Sequence, residues 1–219
     1  MTPIKAIIFD KDGTLHDTEK VFMQAWKLAA AELNVPDIET TIRDCTGTTI
    51  EWIGAYWAKK YPNIPFEEYL PRRQYHFGEI VKDGIPVKEG AYELLDYLKE
   101  RGYAIGMATS TGQRSAMEHL ERTDMLKYFA PEAIITGNMV KNGKPAPDIY
   151  LLAAERLGVS PEACIGVEDS LNGVRAIHAA GMRAVMIPDM IPPTPDVERL
   201  YWKRCDRLTD LIPILESQH

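Results

Sequence analysis

Five short runs of this chain are apolar almost without interruption: residues 6–9, 103–108, 133–135, 164–167 and 184–187. None alternates apolar with polar residues, so none reads as a strand with one wet face. Continuous runs of this length suit strands covered on both faces, as in a parallel sheet. Helical patterns separate the later runs. Residues 88–101 place Tyr92, Leu95 and Leu98 on one side, and Gly102 ends the pattern. Residues 111–120, 147–157 and 171–180 read the same way, with Gly158 and Gly181 closing the last two. The alternation predicts an α/β fold built on a Rossmann-like parallel sheet.

One stretch departs from this rhythm. Between residues 17 and 84 no strand pattern occurs. Residues 17–34 predict a long amphipathic helix, with Val21, Phe22, Ala25, Trp26, Ala29 and Leu33 on one side. Residues 50–60 and 66–81 predict two more helices, set off by Pro36, Pro62 and Pro65. The chain returns to the sheet near Ile85 and Pro86. The predicted organisation is a core of residues 1–16 and 85–219 with an inserted all-helical cap domain, residues 17–84. A cap inserted beside a strand end can hinge and close over a site.

Composition narrows the partners. The 219 residues, 45% of them hydrophobic, can bury a full core without disulfides. Lys and Arg number 25 against 32 Asp and Glu, a net charge of −7, and no basic run stands out. No nucleic-acid partner is expected. The apolar runs are too short to span a membrane, and the run from Ala6 is too short for the core of a secretion signal. Cys45, Cys164 and Cys205 are far apart and form no CxxC pair. Reduced thiols, no zinc site and a cytoplasmic location are expected, in a monomer or dimer.

In open parallel sheets, ligands bind beyond the carboxyl ends of the strands. The residues there are Asp10-Lys11-Asp12-Gly13-Thr14-Leu15, then Thr109-Ser110-Thr111, then a loop with Gly143-Lys144-Pro145, then Glu168-Asp169-Ser170. Carboxylates gathered at one edge repel one another unless a cation sits among them. Donors that are all oxygen favour Mg²⁺. One carboxylate can attack phosphorus, and a second can exchange a proton with the leaving oxygen and with water. A lysine and a hydroxyl can hold phosphoryl oxygens. The set suits Mg²⁺-assisted phosphoryl transfer through an aspartate. Each residue also has a plainer role open to it: a turn at Asp12-Gly13, a helix cap at Thr109 or at Glu168 and Asp169, a solvated loop lysine at Lys144.

These segments resemble the four signatures of the haloacid dehalogenase superfamily, in its phosphatase branch with a helical cap. They stand as Phe9-Asp10-Lys11-Asp12-Gly13-Thr14-Leu15, Met107-Ala108-Thr109-Ser110, Gly143-Lys144-Pro145-Ala146-Pro147-Asp148 and Gly166-Val167-Glu168-Asp169-Ser170, in the family's order. The resemblance implies that Asp10 is the nucleophile and Asp12 the general acid and base. It implies that Thr109 and Lys144 bind the phosphoryl group, with Ser110 an alternative to Thr109. Asp169 and Glu168 would complete a Mg²⁺ site beside the Asp10 carboxylate and the Asp12 main-chain carbonyl. Two departures stand out. The family has an apolar residue where this chain has Lys11. The β-phosphoglucomutase branch carries a His where this chain has Phe22, which favours hydrolysis over mutase chemistry.

Within the cap, Thr46-Gly47-Thr48-Thr49 resembles the family's substrate-specificity loop, with an ordinary helix–helix turn as the alternative. His16 and Glu19 stand at the hinge and are candidates to face the cleft. Trp26, Trp52 and Trp57 read as cap core. Arg43, Arg72 and Arg73 read as solvated, one of them within reach of a phosphate or hydroxyl. The expected activity is a Mg²⁺-dependent hydrolysis of a small phosphorylated metabolite, a sugar phosphate foremost. A phosphosugar mutase and a non-catalytic phosphate-binding regulator are the rival readings.

Overall fold

The computed structural model describes residues 2–45, 48 and 50–217. The first strand, β1 (Ala6–Phe9), is buried along its whole length. Four helices follow: α1 (Glu19–Glu32), α2 (Ile38–Cys45), α3 (Ile50–Lys60) and α4 (Phe66–Ile80). The chain then alternates through α5 (Ala91–Glu100), β2 (Ala104–Thr109), α6 (Gln113–Arg122), β3 (Ile134–Thr136), α7 (Asp148–Leu157), β4 (Cys164–Glu168), α8 (Leu171–Ala179) and β5 (Arg183–Met186). A short β6 (Lys203–Arg204) and α9 (Leu211–Glu216) complete the described residues.

The strands form one parallel sheet in the order β3-β2-β1-β4-β5-β6. This is a Rossmann-like α/β fold. Both faces are covered, which explains why the strand runs carry no polar alternation. On one face Ile7, Phe9 and Met107 pack with Leu94, Leu95 and Leu98 of α5 and Leu120 of α6. On the other, Ile8 and Ala108 pack with Ile149 and Tyr150 of α7 and Ile177 of α8. Burying each large apolar side chain contributes about 1.5–3 kcal/mol. Gly166 of β4 lies so close to α8 that a Cβ there would overlap Ile177.

Helices α1–α4 bury a core of their own around Trp57, which contacts Trp26, Tyr61, Phe66 and Tyr69. The chain leaves and re-enters the sheet layer side by side. His16 bridges Val87, Asp17 N donates to Pro86 O at 2.9 Å, and Lys88 N donates to Leu15 O at 2.9 Å. Arg122 of α6 adds a second link by donating to the carbonyls of Val81 and Lys82.

Several expected elements shift. Helix α5 starts at Ala91 rather than at residue 88, because Lys88 pairs with Leu15 and Gly90 takes a left-handed φ of 79°. Helix α6 starts at Gln113 rather than at residue 111, because Thr111 is committed to side-chain bonds described below. Trp52, read as core, is 46% exposed and stacks on Tyr56 at 5.3 Å.

Candidate active site

The strand order reverses between β1 and β4, since β1 connects outward toward β2 and β4 outward toward β5. Ligands in such sheets bind in the crevice at that reversal. Asp10 follows β1 directly, and Glu168 ends β4. Lys144 reaches between them: its Nζ is 2.5 Å from Asp10 Oδ1 and 2.6 Å from Glu168 Oε1. Tyr150 flanks the lysine, with Nζ 5.1 Å from the ring centroid.

Glu168 is held from the far side. Ser170 N donates to its Oε2 at 2.7 Å. Gly173 makes room for it, because a Cβ there would overlap the carboxylate. Ser170 itself caps α8, its Oγ accepting from Gly173 N at 3.0 Å. Asp169 packs over Gly13, whose φ of 85° and missing Cβ both serve the turn. Thr14 donates to Asp169 Oδ1 at 3.0 Å.

Asp12 receives three donors. Lys11 Nζ lies 2.5 Å and Thr18 Oγ1 2.8 Å from its Oδ1, and Thr111 Oγ1 lies 2.6 Å from its Oδ2. Thr109 is buried, and its Oγ1 accepts from Thr111 N at 3.1 Å. Ser110 is exposed just beyond the strand end.

Electrostatics sort the acids. Burial pushes Asp10 up to about 7, against the Lys144 ammonium and with the help of Glu168 and Asp12. Burial, then the charges of Glu168, Asp10 and Glu19, pushes Asp169 well above the usual range. Glu19 rises to about 8 through burial and then the charges of Asp12 and Asp10. Asp12 goes the other way. Burial would raise it, but the Lys11 ammonium and the two threonine hydroxyls hold it well below the usual range. Lys144 is raised, because Asp10 and Glu168 outweigh its burial.

The raised acids are those an added hard cation would return to the charged form. Among the described residues no three His, Cys, Asp or Glu side chains already close on one point as a metal-binding group. Mg²⁺ keeps several waters and is held by one or two carboxylates plus substrate oxygens, so this donor set fits it without a preformed cage.

A family model for haloacid dehalogenase-like hydrolases matches residues 4–181. The chain belongs to that family. This hydrolase is 35% identical over 187 residues to the phosphorylated carbohydrates phosphatase of Thermotoga maritima, across 83% of this chain and 84% of that one. It is 33% identical over 190 residues to the β-phosphoglucomutase of Bacillus subtilis, across 83% and 82% of the two chains. A solved haloacid dehalogenase family hydrolase of Deinococcus radiodurans, with bound phosphate and sodium, superposes with a TM-score of 0.78 at 26% identity, covering 100% of this chain and 97% of that one.

Around this hydrolase's carboxylates the structure adds residues to which the sequence reading gave no role. Thr18, Thr111 and His119 each touch Asp12 or Lys11, and Tyr150 backs Lys144. Thr111 and His119 meet partners 99 and 108 residues away, so no local pattern marks them. His16 is a correction. It was expected at the cleft, yet it has no exposed surface and bonds Thr123 Oγ1 through Nε2 at 3.0 Å. Burial, then Lys11, lowers it to about 3, so it is a neutral interior ring.

Of the specificity loop, Thr48 donates to Cys45 O at 2.6 Å, while Thr46, Gly47 and Thr49 lie outside the described residues. Arg43 pairs with Asp44 and Arg72 with Glu32, whereas Arg73 lies over the Trp26 ring at 5.0 Å. A recess of about 160 Å³ between Met23, Arg43, Met190 and Ile191 joins the helical segment to the core. A larger one of about 360 Å³ lies among α3, α4 and their connection, and none of Asp10, Asp12, Glu168 or Asp169 lines it.

Proposed function

We propose that this hydrolase is a Mg²⁺-dependent phosphomonoesterase for a small phosphorylated metabolite, a sugar phosphate foremost, working through an aspartyl-phosphate on Asp10. The observation that carries the reading is the division of labour between two acids on one short segment. Asp10 is bonded to Lys144, which also bonds Glu168, at the reversal of strand order, while Asp12 is bonded by three donors two residues on.

In the first step an Asp10 carboxylate oxygen attacks phosphorus, and the bond to the leaving oxygen breaks as Asp12 gives that oxygen a proton. The nearby phosphate charge favours the protonated form of Asp12 at this point. In the second step water attacks the phosphoryl group, Asp12 takes the water's proton, and inorganic phosphate leaves with Asp10 restored. Lys144 and Thr109 hold phosphoryl oxygens, with Ser110 the alternative to Thr109. Asp10, the Asp12 carbonyl, Glu168 and Asp169 would hold Mg²⁺, which supplies positive charge to the phosphoryl oxygens.

Residues 17–84 act as the cap, and Thr46, Gly47 and Thr48 contribute to substrate choice. The phosphorylated carbohydrates phosphatase among the relatives supports the substrate class. No helix among the described residues is long and apolar enough to cross a membrane. We place the enzyme in the cytoplasm, with reduced cysteines, as a monomer or dimer.

The relative named as a β-phosphoglucomutase makes mutase activity the second reading. Phe22, where that branch carries His, is stacked on Phe77 with ring centroids 4.4 Å apart, an apolar contact that supports hydrolysis. A regulator without catalysis is disfavoured because both acids are present. Phosphate release from a panel of sugar, glycerol and nucleotide phosphates tests the proposal. Phosphorus NMR of β-glucose 1-phosphate with a bisphosphate primer separates the readings. Conversion to glucose 6-phosphate without free phosphate would make the enzyme a mutase, and binding without chemistry a regulator.

A further inference from the structure

Lys11 occupies the position between the two aspartates where the family has an apolar residue. Its side chain has no exposed surface. A buried ammonium is costly unless it is paired and hydrogen-bonded. Two groups meet it: Asp12 Oδ1 at 2.5 Å and His119 Nδ1 at 3.2 Å. Burial, then Lys11, lowers His119 to about 4, so the ring is neutral and its Nδ1 is the acceptor, leaving the hydrogen on Nε2.

His119 is fixed in turn. Its ring stacks on Phe77 of α4 with centroids 5.5 Å apart and planes 18° apart. Of the three donors to Asp12, Thr18 precedes α1 and Thr111 lies in the loop after β2, and both are hydroxyls. Lys11 brings the formal charge.

We propose that Lys11, seated by His119, is a positioning residue that orients the Asp12 carboxylate toward the leaving oxygen. The inference rests on the reading of Asp12 as the acid and base of a phosphomonoesterase. It explains why a lysine is tolerated at an apolar position: one end of a buried chain of contacts is the acid, and the other is a ring locked against the helical segment.

The test uses two esters that differ in their need for a proton. Glucose 6-phosphate expels the glucose 6-alkoxide, which needs one, whereas p-nitrophenyl phosphate expels the stable p-nitrophenolate, which does not. The constant kcat/KM reports only steps up to the first irreversible one, here transfer to Asp10. Lys11→Met keeps the stem and removes the charge. It should lower kcat/KM for glucose 6-phosphate by about 10–100-fold, part of the ~10²–10⁴ that a placed acid supplies, and for p-nitrophenyl phosphate by less than about 3-fold. His119→Phe keeps the stack on Phe77 and should shift the two esters in the same unequal way. The double variant should be no worse than Lys11→Met alone, since both changes remove one arrangement.

A folded Lys11→Met enzyme that loses equally on both esters, or loses nothing, overturns the proposal. If Lys11→Met does not fold, His119→Phe carries the same comparison, and an equal effect on both esters overturns it there. Wild-type enzyme that releases phosphate from neither ester, nor from any other member of the panel, defeats the phosphomonoesterase reading and this inference with it. Wild-type release with equal losses defeats the inference alone.

Discussion

Lys144 stands 2.5 Å from Asp10 and 2.6 Å from Glu168, so one ammonium serves two buried carboxylates at the ends of two neighbouring strands. Removing it leaves both acids without their cation. Lys144→Met should lower stability at neutral pH by about 3–5 kcal/mol in metal-free buffer, the usual cost of breaking a buried pair. Added Mg²⁺ should recover part of that loss without restoring turnover. Urea unfolding with and without Mg²⁺, alongside phosphate release, measures both. Unchanged stability in the metal-free variant would contradict the pairing.

Asp10→Asn keeps the shape of the proposed nucleophile and removes its charge. Turnover should fall by about 10³-fold or more, as for other enzymes that lose a nucleophile. The fold should persist, and no phosphoryl adduct should appear on the intact protein by mass spectrometry after rapid quenching. Wild-type enzyme under the same quench should carry one phosphoryl group.

The raised acids set a pH dependence. In the unfolded chain Asp10 and Glu19 release their protons near 3.8 and 4.5, but in the metal-free fold only near 7 and 8. Between those values the folded state holds more protons, so these groups make stability fall as pH rises through the window. Mg²⁺ favours the ionised acids and must displace protons when pH is low. The increase in melting temperature on adding Mg²⁺ should therefore be larger at pH 8 than at pH 5. An equal increase at both would remove the coupling between the metal and these acids.

Gly173 lies inside α8, where replacement by Ala ordinarily stabilises a helix by about 1 kcal/mol. Here the added Cβ would overlap the Glu168 carboxylate. Gly173→Ala should be destabilising and should lower activity by displacing Glu168 from Lys144. A variant that is more stable and fully active would place Glu168 elsewhere.

The sheet was legible because each of its first five strands contains a buried apolar run. Strand β6 was not, because Lys203 and Arg204 are exposed charges that join β5 through the backbone alone. Helix α2 also escaped notice. Its sequence, Ile38-Glu-Thr-Thr-Ile-Arg-Asp-Cys45, is short and rich in residues of modest helix propensity, and packing against α1 decides it. At the site, Asp10, Asp12, Lys144, Glu168 and Asp169 could be nominated because they lie at strand ends or in the loops beyond them. What Asp12 touches could not. Lys11 meets His119 across 108 residues, and Thr111 meets Asp12 across 99. The burial of His16 was illegible for the same reason, since Thr123 is 107 residues away.

The paired crossings at residues 15–17 and 86–88 bear on how such a chain can change over time. Leu15 and Lys88 are already backbone partners, so the two cut ends of the intervening segment lie side by side. Replacing what lies between them asks nothing of the strand register from β1 to β5. Mutation can therefore remodel the helical segment while the carboxylates at the strand ends keep their places, with Thr18 and Phe77 among the contacts any replacement would have to supply again.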